Sequence, residues 1–84
     1  MPDKELVIKQ QRIEEALTDA VRQRNEARTL AEDSISRMAR DLATADMDEL
    51  DPNALRAQAD TLADQVARYR ERVEFVRVLQ KLMG

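Results

Sequence analysis

Residues 46–55 read Asp46-Met47-Asp48-Glu49-Leu50-Asp51-Pro52-Asn53-Ala54-Leu55. Several local signals here agree on a helix that begins at Pro52. Proline lacks a backbone donor and has a fixed φ, which suits the first helical position, where that donor would be unpaired anyway. Asp51 before it is an N-cap: its carboxylate accepts from exposed amides, and its charge complements the positive end of the helix dipole. Leu50 then falls at N′ and Leu55 at N4, the spacing of a hydrophobic staple. Upstream, Ala45 to Leu50 make a short connection that carries Asp46, Asp48 and Glu49. A short link between two helices makes them antiparallel neighbours.

Downstream of the connection, the apolar positions are Leu55, Ala59, Leu62, Val66, Tyr69, Val73, Val76, then Leu79 or Gln80, and Met83. The steps alternate four and three, which is a heptad stripe. Upstream, the stripe is Leu6, Ile13, Leu17, Ala20, Arg24, Ala27, Ala31, Ile35, Met38 and Leu42. It is heptad-like from Leu17 to Ala31. From Ala31 to Leu42 it fits an 11-residue step, which straightens a supercoil. Neither stretch contains an internal Gly, and Pro52 stands at the start of the second rather than inside it.

The expected fold is therefore all-α: an antiparallel, coiled-coil-like two-helix hairpin forming one domain over residues 1–84. Helix one covers about 3–45, the turn 46–51 and helix two about 52–83. Its expected core is Leu17, Ile35, Met38 and Leu42 against Leu55, Leu62, Val66, Tyr69, Val73 and Val76. At about 1.5 Å per residue the helices are roughly 60 and 48 Å long. Pairing outward from the turn sets Leu42 near Leu55 or Ala59, and Met83 near Ala16 or Leu17. About the first 12 residues then overhang, on that rise.

Composition narrows the function classes. The chain has 84 residues, with 14 Lys+Arg, 17 Asp+Glu, no His, no Cys and a single Gly at position 84. Without His or Cys, the usual zinc sites, disulfide staples and imidazole or thiol chemistry are absent. With no internal Gly there is no phosphate-cradling loop. Paired acids such as Glu14-Glu15 and Glu32-Asp33 are sequence neighbours and point to different parts of a helix surface, so they offer no general acid–base pair. No enzyme activity, cofactor or metal is expected. No apolar run approaches the roughly 20 residues that span a bilayer, and Met1-Pro2-Asp3-Lys4-Glu5 lacks the apolar core of a signal peptide. A cytoplasmic protein is expected.

Net charge is −3, unevenly spread. Residues 1–40 balance. Residues 41–64 set Asp41, Asp46, Asp48, Glu49, Asp51, Asp60 and Asp64 against Arg56 alone, net −6. Residues 65–84 set Arg68, Arg70, Arg72, Arg77 and Lys81 against Glu71 and Glu74, net +3. The acidic turn lacks the Gly and distal Glu of a calcium loop, so it is expected to be a solvated turn with one N-cap. On the antiparallel pairing, Arg22, Arg24 and Arg28 lie near Arg68, Arg70 and Arg72. Such an arginine waist would let a helical bundle hold RNA, in the manner of the plasmid-encoded antiparallel four-helix bundle that binds paired RNA loops. Interleaved Glu26, Glu32, Glu71 and Glu74 favour a salt-linked surface instead.

A two-helix hairpin buries one face of each helix. Leu6, Ile8, Ile13, Val21, Leu30 and Val78 fall off the expected seam and would line a second interface. The expectation is a protein–protein interaction module, a small adaptor, chaperone-like or accessory protein. It would form a four-helix bundle by homodimerisation or dock on an obligate partner helix. The structural alternative is a monomeric hairpin with a third short segment folded back.

Asp51-Pro52-Asn53-Ala54-Leu55 and the mixed helix after it resemble the small helical hairpins of type III secretion, both needle subunits and their co-chaperones. The high charge fits the soluble co-chaperones better. In outline, two helices and an acidic turn, the chain also looks like the acid-tipped factors that enter the RNA polymerase secondary channel. It lacks their companion domain.

Overall fold

The connection between the helices is built from its own aspartates. In the computed structural model, which describes residues 4–84, helix α1 spans Lys4–Thr44, a 3₁₀ turn spans Met47–Glu49, and helix α2 spans Pro52–Met83. The expected start of the first helix at Asp3 lies outside the described residues. At the end of α1, Thr44 Oγ1 donates back to the carbonyls of Arg40 (3.1 Å) and Asp41 (3.4 Å). The Asp46 carboxylate accepts from the Asp48 amide at 3.1 Å, and the Glu49 amide donates to Asp46 O at 3.0 Å, closing the 3₁₀ turn. Asp51 accepts from the Asn53 amide at 3.0 Å, with Pro52 at the first helical position. The Leu55 amide then donates to Asp51 O at 3.1 Å, the first rung of the α2 ladder. Leu50 and Leu55, on either side of that cap, are both half-buried.

The described residues are all-helical in their regular structure: two long helices, the single 3₁₀ turn and no strand. The molecule measures 73 × 16 × 14 Å, and its radius of gyration is 19.6 Å. A compact domain of this length would have a radius of about 12 Å.

The two helices meet along α1 residues Ile13, Leu17, Ala20, Arg24, Ala27, Ala31, Ser34 and Met38, all buried or half-buried. Ala20, Val76 and Leu79 form one buried cluster, with Leu17 and Val21 packed against it. Ala31 is the remaining buried residue among those described. Contacts elsewhere run in opposite numerical order. Leu6 and Ile13 share a groove with Leu82 and Met83, Ala27 and Leu30 share one with Arg68 and Arg72, and Ser34 and Met38 share one with Ala57 and Thr61.

The seam differs from the expected one in three residues. Ile35, Leu42 and Val66 stand 50%, 47% and 39% exposed and lie outside the core. Ser34 is half-buried beside Ile35, and on α2 the half-buried line runs through Leu55, Leu62, Gln65, Tyr69, Arg72 and Val73. The physical reason lies in α1. Ala20, Ala27 and Ala31 make a thin face on which long side chains can lay their apolar stems while their polar ends reach outward. Arg72 suits that face, whereas a β-branched Val66 has no stem to extend; Gln65 lies on the same line, but its Oε1 is buried. The register differs too. Met83 shares a groove with Leu6 and Ile13 rather than sitting near Ala16 or Leu17, and Ile13, expected to lie off the seam, is half-buried on it.

Candidate interaction surfaces

Because each helix repeats every seven residues along the seam, each has two flanking lines. On one flank, grooves of about 330, 360 and 230 Å³ follow one another along the molecule. Their α1 walls include Lys9, Gln23, Leu30 and Arg37, which share a heptad position. Their α2 walls include Leu82, Arg68 and Thr61, which share another. This flank is mixed, with bases interrupting the apolar side chains.

The other flank is left to the residues next along the heptad: Val21, Arg28, Ile35 and Leu42 on α1, and Ala59, Val66 and Val73 on α2. Arg28 is the charged residue in this set, and Glu14, one step toward the N-terminus on the same α1 line, is a second. Val21 and Val73 are half-buried at its inner edge, and Ile35, Leu42 and Val66 are open to solvent. Sequence reasoning had assigned Ile35, Leu42, Val66 and Val73 to the core and so missed this stripe. The signal that finds it is the strict seven-residue recurrence within each helix.

The six residues expected to line a second interface do not form one surface. Leu6 and Ile13 line the groove with Leu82 and Met83, and Leu30 lies in the groove with Arg68 and Arg72. Val21 packs on the buried cluster from the opposite flank. Ile8 and Val78 are about half exposed and belong to neither flank.

The arginines are tied to nearby acids. Arg22 pairs with Asp19 and, at 3.0 Å, with Glu26; Arg28 pairs with Glu32 at 2.6 Å, and Arg77 with Glu74 at 2.9 Å. Arg24 donates twice to Asn25 Oδ1, at 3.3 and 3.1 Å. Arg68 and Arg72 share their groove with Glu26, and Arg70 is exposed. The Asp19 hydrogen bond, then the charges of Asp19 and Glu26, hold the Arg22 guanidinium above its ordinary range. The Glu32 hydrogen bond and charge, then Tyr69, do the same for Arg28. For a raised base, the stabilisation is complete below the ordinary pKa and is lost only as pH climbs through the higher folded one. Both arginines therefore carry full charge at any physiological pH.

Within the acidic turn, Asp46 and Asp51 are occupied as caps, and Met47 at the tip is 80% exposed. No three acids among the described residues gather into a group that would hold a metal ion. No described helix is long and apolar enough to cross a membrane. On the seam, Gln65 Oε1 is buried and meets no donor. Comparison with protein-family models, curated proteins and solved structures gives no match to this chain.

Proposed function

We propose that this chain is an antiparallel helical hairpin acting as a non-enzymatic protein–protein interaction module, which pairs through its apolar helix faces into a four-helix bundle. The observation that carries the reading is exposed surface. The chain exposes 7070 Å², whereas a compact monomer of 9.7 kDa exposes roughly 5,100 Å². The excess is more than twice the roughly 800 Å² that each partner contributes to a standard protein–protein interface. Its character is apolar in part. Among the described residues only Ala20, Ala31, Val76 and Leu79 are buried, while large side chains such as Leu6, Leu30, Ile35, Leu42, Phe75 and Leu82 lie open. Open apolar side chains that share one flank, as Ile35, Leu42 and Val66 do, mark an interaction site. A cytoplasmic adaptor, chaperone-like or accessory role fits such a module, whether a second copy or a partner helix covers the face.

The arginine set gives less support to an RNA-binding bundle, because Arg22, Arg28 and Arg77 are already paired with acids on their own helices. Phosphate contacts also weaken steeply with salt, so a gel shift that fades as salt rises would revive that reading.

Sedimentation equilibrium over a wide concentration range tests the proposal. A folded species of twice the 9.7 kDa chain mass is expected. A helical species that stays at single-chain mass at every concentration overturns self-association.

A further inference from the structure

Resting on the self-association reading, we infer which face the second copy covers and how it lies: antiparallel, on the flank of Val21, Ile35, Leu42, Val66 and Val73, with Val21 at the two-fold axis. The α1 line of this flank, followed in steps of seven, is Val7, Glu14, Val21, Arg28, Ile35 and Leu42. The line is complementary to its own reverse. Turned end for end about Val21, it sets Val7 against Ile35 and Glu14 against Arg28. The two-fold axis makes each of those contacts twice. The charged residues on the line thus neutralise each other, and the remaining facing positions are apolar. Arg28 is held at its stem by Glu32, and Glu14 has no ion pair among the described residues.

A parallel second copy would do the opposite. It would bring Glu14 against Glu14 and Arg28 against Arg28, and would lay the acidic turns, Asp46 to Asp51, alongside one another. Like charges so placed exclude a partner orientation effectively. The antiparallel arrangement moves the two turns to opposite ends.

The register also uses the helix well. Residue 24 is the midpoint of Lys4–Thr44, so centring on Val21 offsets the two copies of α1 from full overlap by only about 9 Å in all. On α2 the same axis passes close to Val73, one turn from Val76, against which Val21 packs. From Val7 to Ile35, the part of the line that faces its own reverse, the strip runs about 42 Å, with Leu42 beyond its end. Across the 16 Å breadth of the molecule that is roughly 700 Å², close to the share of about 800 Å² that each partner contributes to a standard interface. The opposite flank offers no such match, since Lys9, Arg37 and Arg68 interrupt it and would face one another's charge.

The test is a reciprocal charge exchange on the full chain, read as the dimer dissociation constant by sedimentation, with helix content followed by circular dichroism. Glu14 and Arg28 lie about 21 Å apart along one helix, so within one chain they do not touch. Glu14→Arg and Arg28→Glu are each expected to weaken the dimer at least about tenfold, and the double exchange to return it to within about threefold of the starting protein. Only contact between chains produces that recovery. Ile35→Asp, at a half-exposed position, is expected to weaken the dimer at least as much as either single exchange. If the starting protein dimerises but these variants leave its dissociation constant unchanged, or the double exchange fails to recover, this face and orientation are overturned while self-association stands. A starting protein that is monomeric throughout overturns both.

Discussion

Ala20 of α1 and Val76 and Leu79 of α2 leave water almost completely, Ala20 and Val76 being 2% and 3% exposed, and Leu17 and Val21 pack half-buried against them. From Ser34 to the end of α1, and from Pro52 through Arg72 on α2, no residue is buried; Met38, Leu55 and Leu62 are only half-covered. The same two helices are thus held by different means at different distances from the connection. Near it, covalent continuity and the Asp46 and Asp51 caps keep the helices close. Far from it, closing the longer intervening chain costs more entropy, and burial is concentrated there. The chain places its tightest packing well away from the connection, roughly one to two turns of α2 short of the open outer end where Leu6, Leu82 and Met83 stand exposed.

Substitutions at one protein concentration, held fixed because assembly contributes to stability, sharpen or break that contrast. The largest effect is expected from Leu79→Ala, a loss of about 3 kcal/mol in denaturant unfolding from a cavity in the tight cluster. Leu62→Ala, on the half-covered seam, should lose only about 1 kcal/mol. Equal losses at the two sites would show that the ends are packed alike. Next comes Gln65→Leu, which removes a buried acceptor without a donor and should raise stability by about 1 kcal/mol, read as a higher denaturation midpoint. A drop would mean that the carbonyl is satisfied in solution. Asp51→Ala should lower stability by about 1 kcal/mol by uncapping α2, with the loss recovered in Asp51→Ser. The smallest change is expected from Asp41→Lys. The last turn of α1 carries no base, so a cation there meets the negative end of the helix dipole and should add roughly 0.5 kcal/mol, fading with salt.

The helix boundary at Asp51-Pro52 was legible because capping is a contact between residues two or three apart, written in adjacent letters. The helical class was legible for a similar reason, since heptad spacing is visible along one strand of text. The seam on α2 was harder. Leu55, Leu62, Tyr69 and Val76 recur every seven residues, and either neighbouring line, Ala59–Val66–Val73 or Gln58–Gln65–Arg72–Leu79, could complete the stripe. Hydrophobicity favours the first. The structure buries more of the second, with Gln65 and Arg72 half-buried and Leu79 buried. What decides is the thin alanine face of α1, a feature of the other helix that no local pattern on α2 reveals. The apolar line left over therefore reads as core along the sequence, and only the packing of the two helices turns it into an exposed face.

The 73 Å length and narrow cross-section have a consequence for spectroscopy. Almost every amide N–H bond in α1 and α2 points along the long axis, so nitrogen-15 relaxation in either helix reports end-over-end tumbling alone. Amides of the 3₁₀ turn, inclined to that axis, also sample the faster spin about it. A side-by-side second copy thickens the rod far more than it lengthens it. It would slow the spin proportionally more than the tumbling, and the turn amides would register assembly before the helices did.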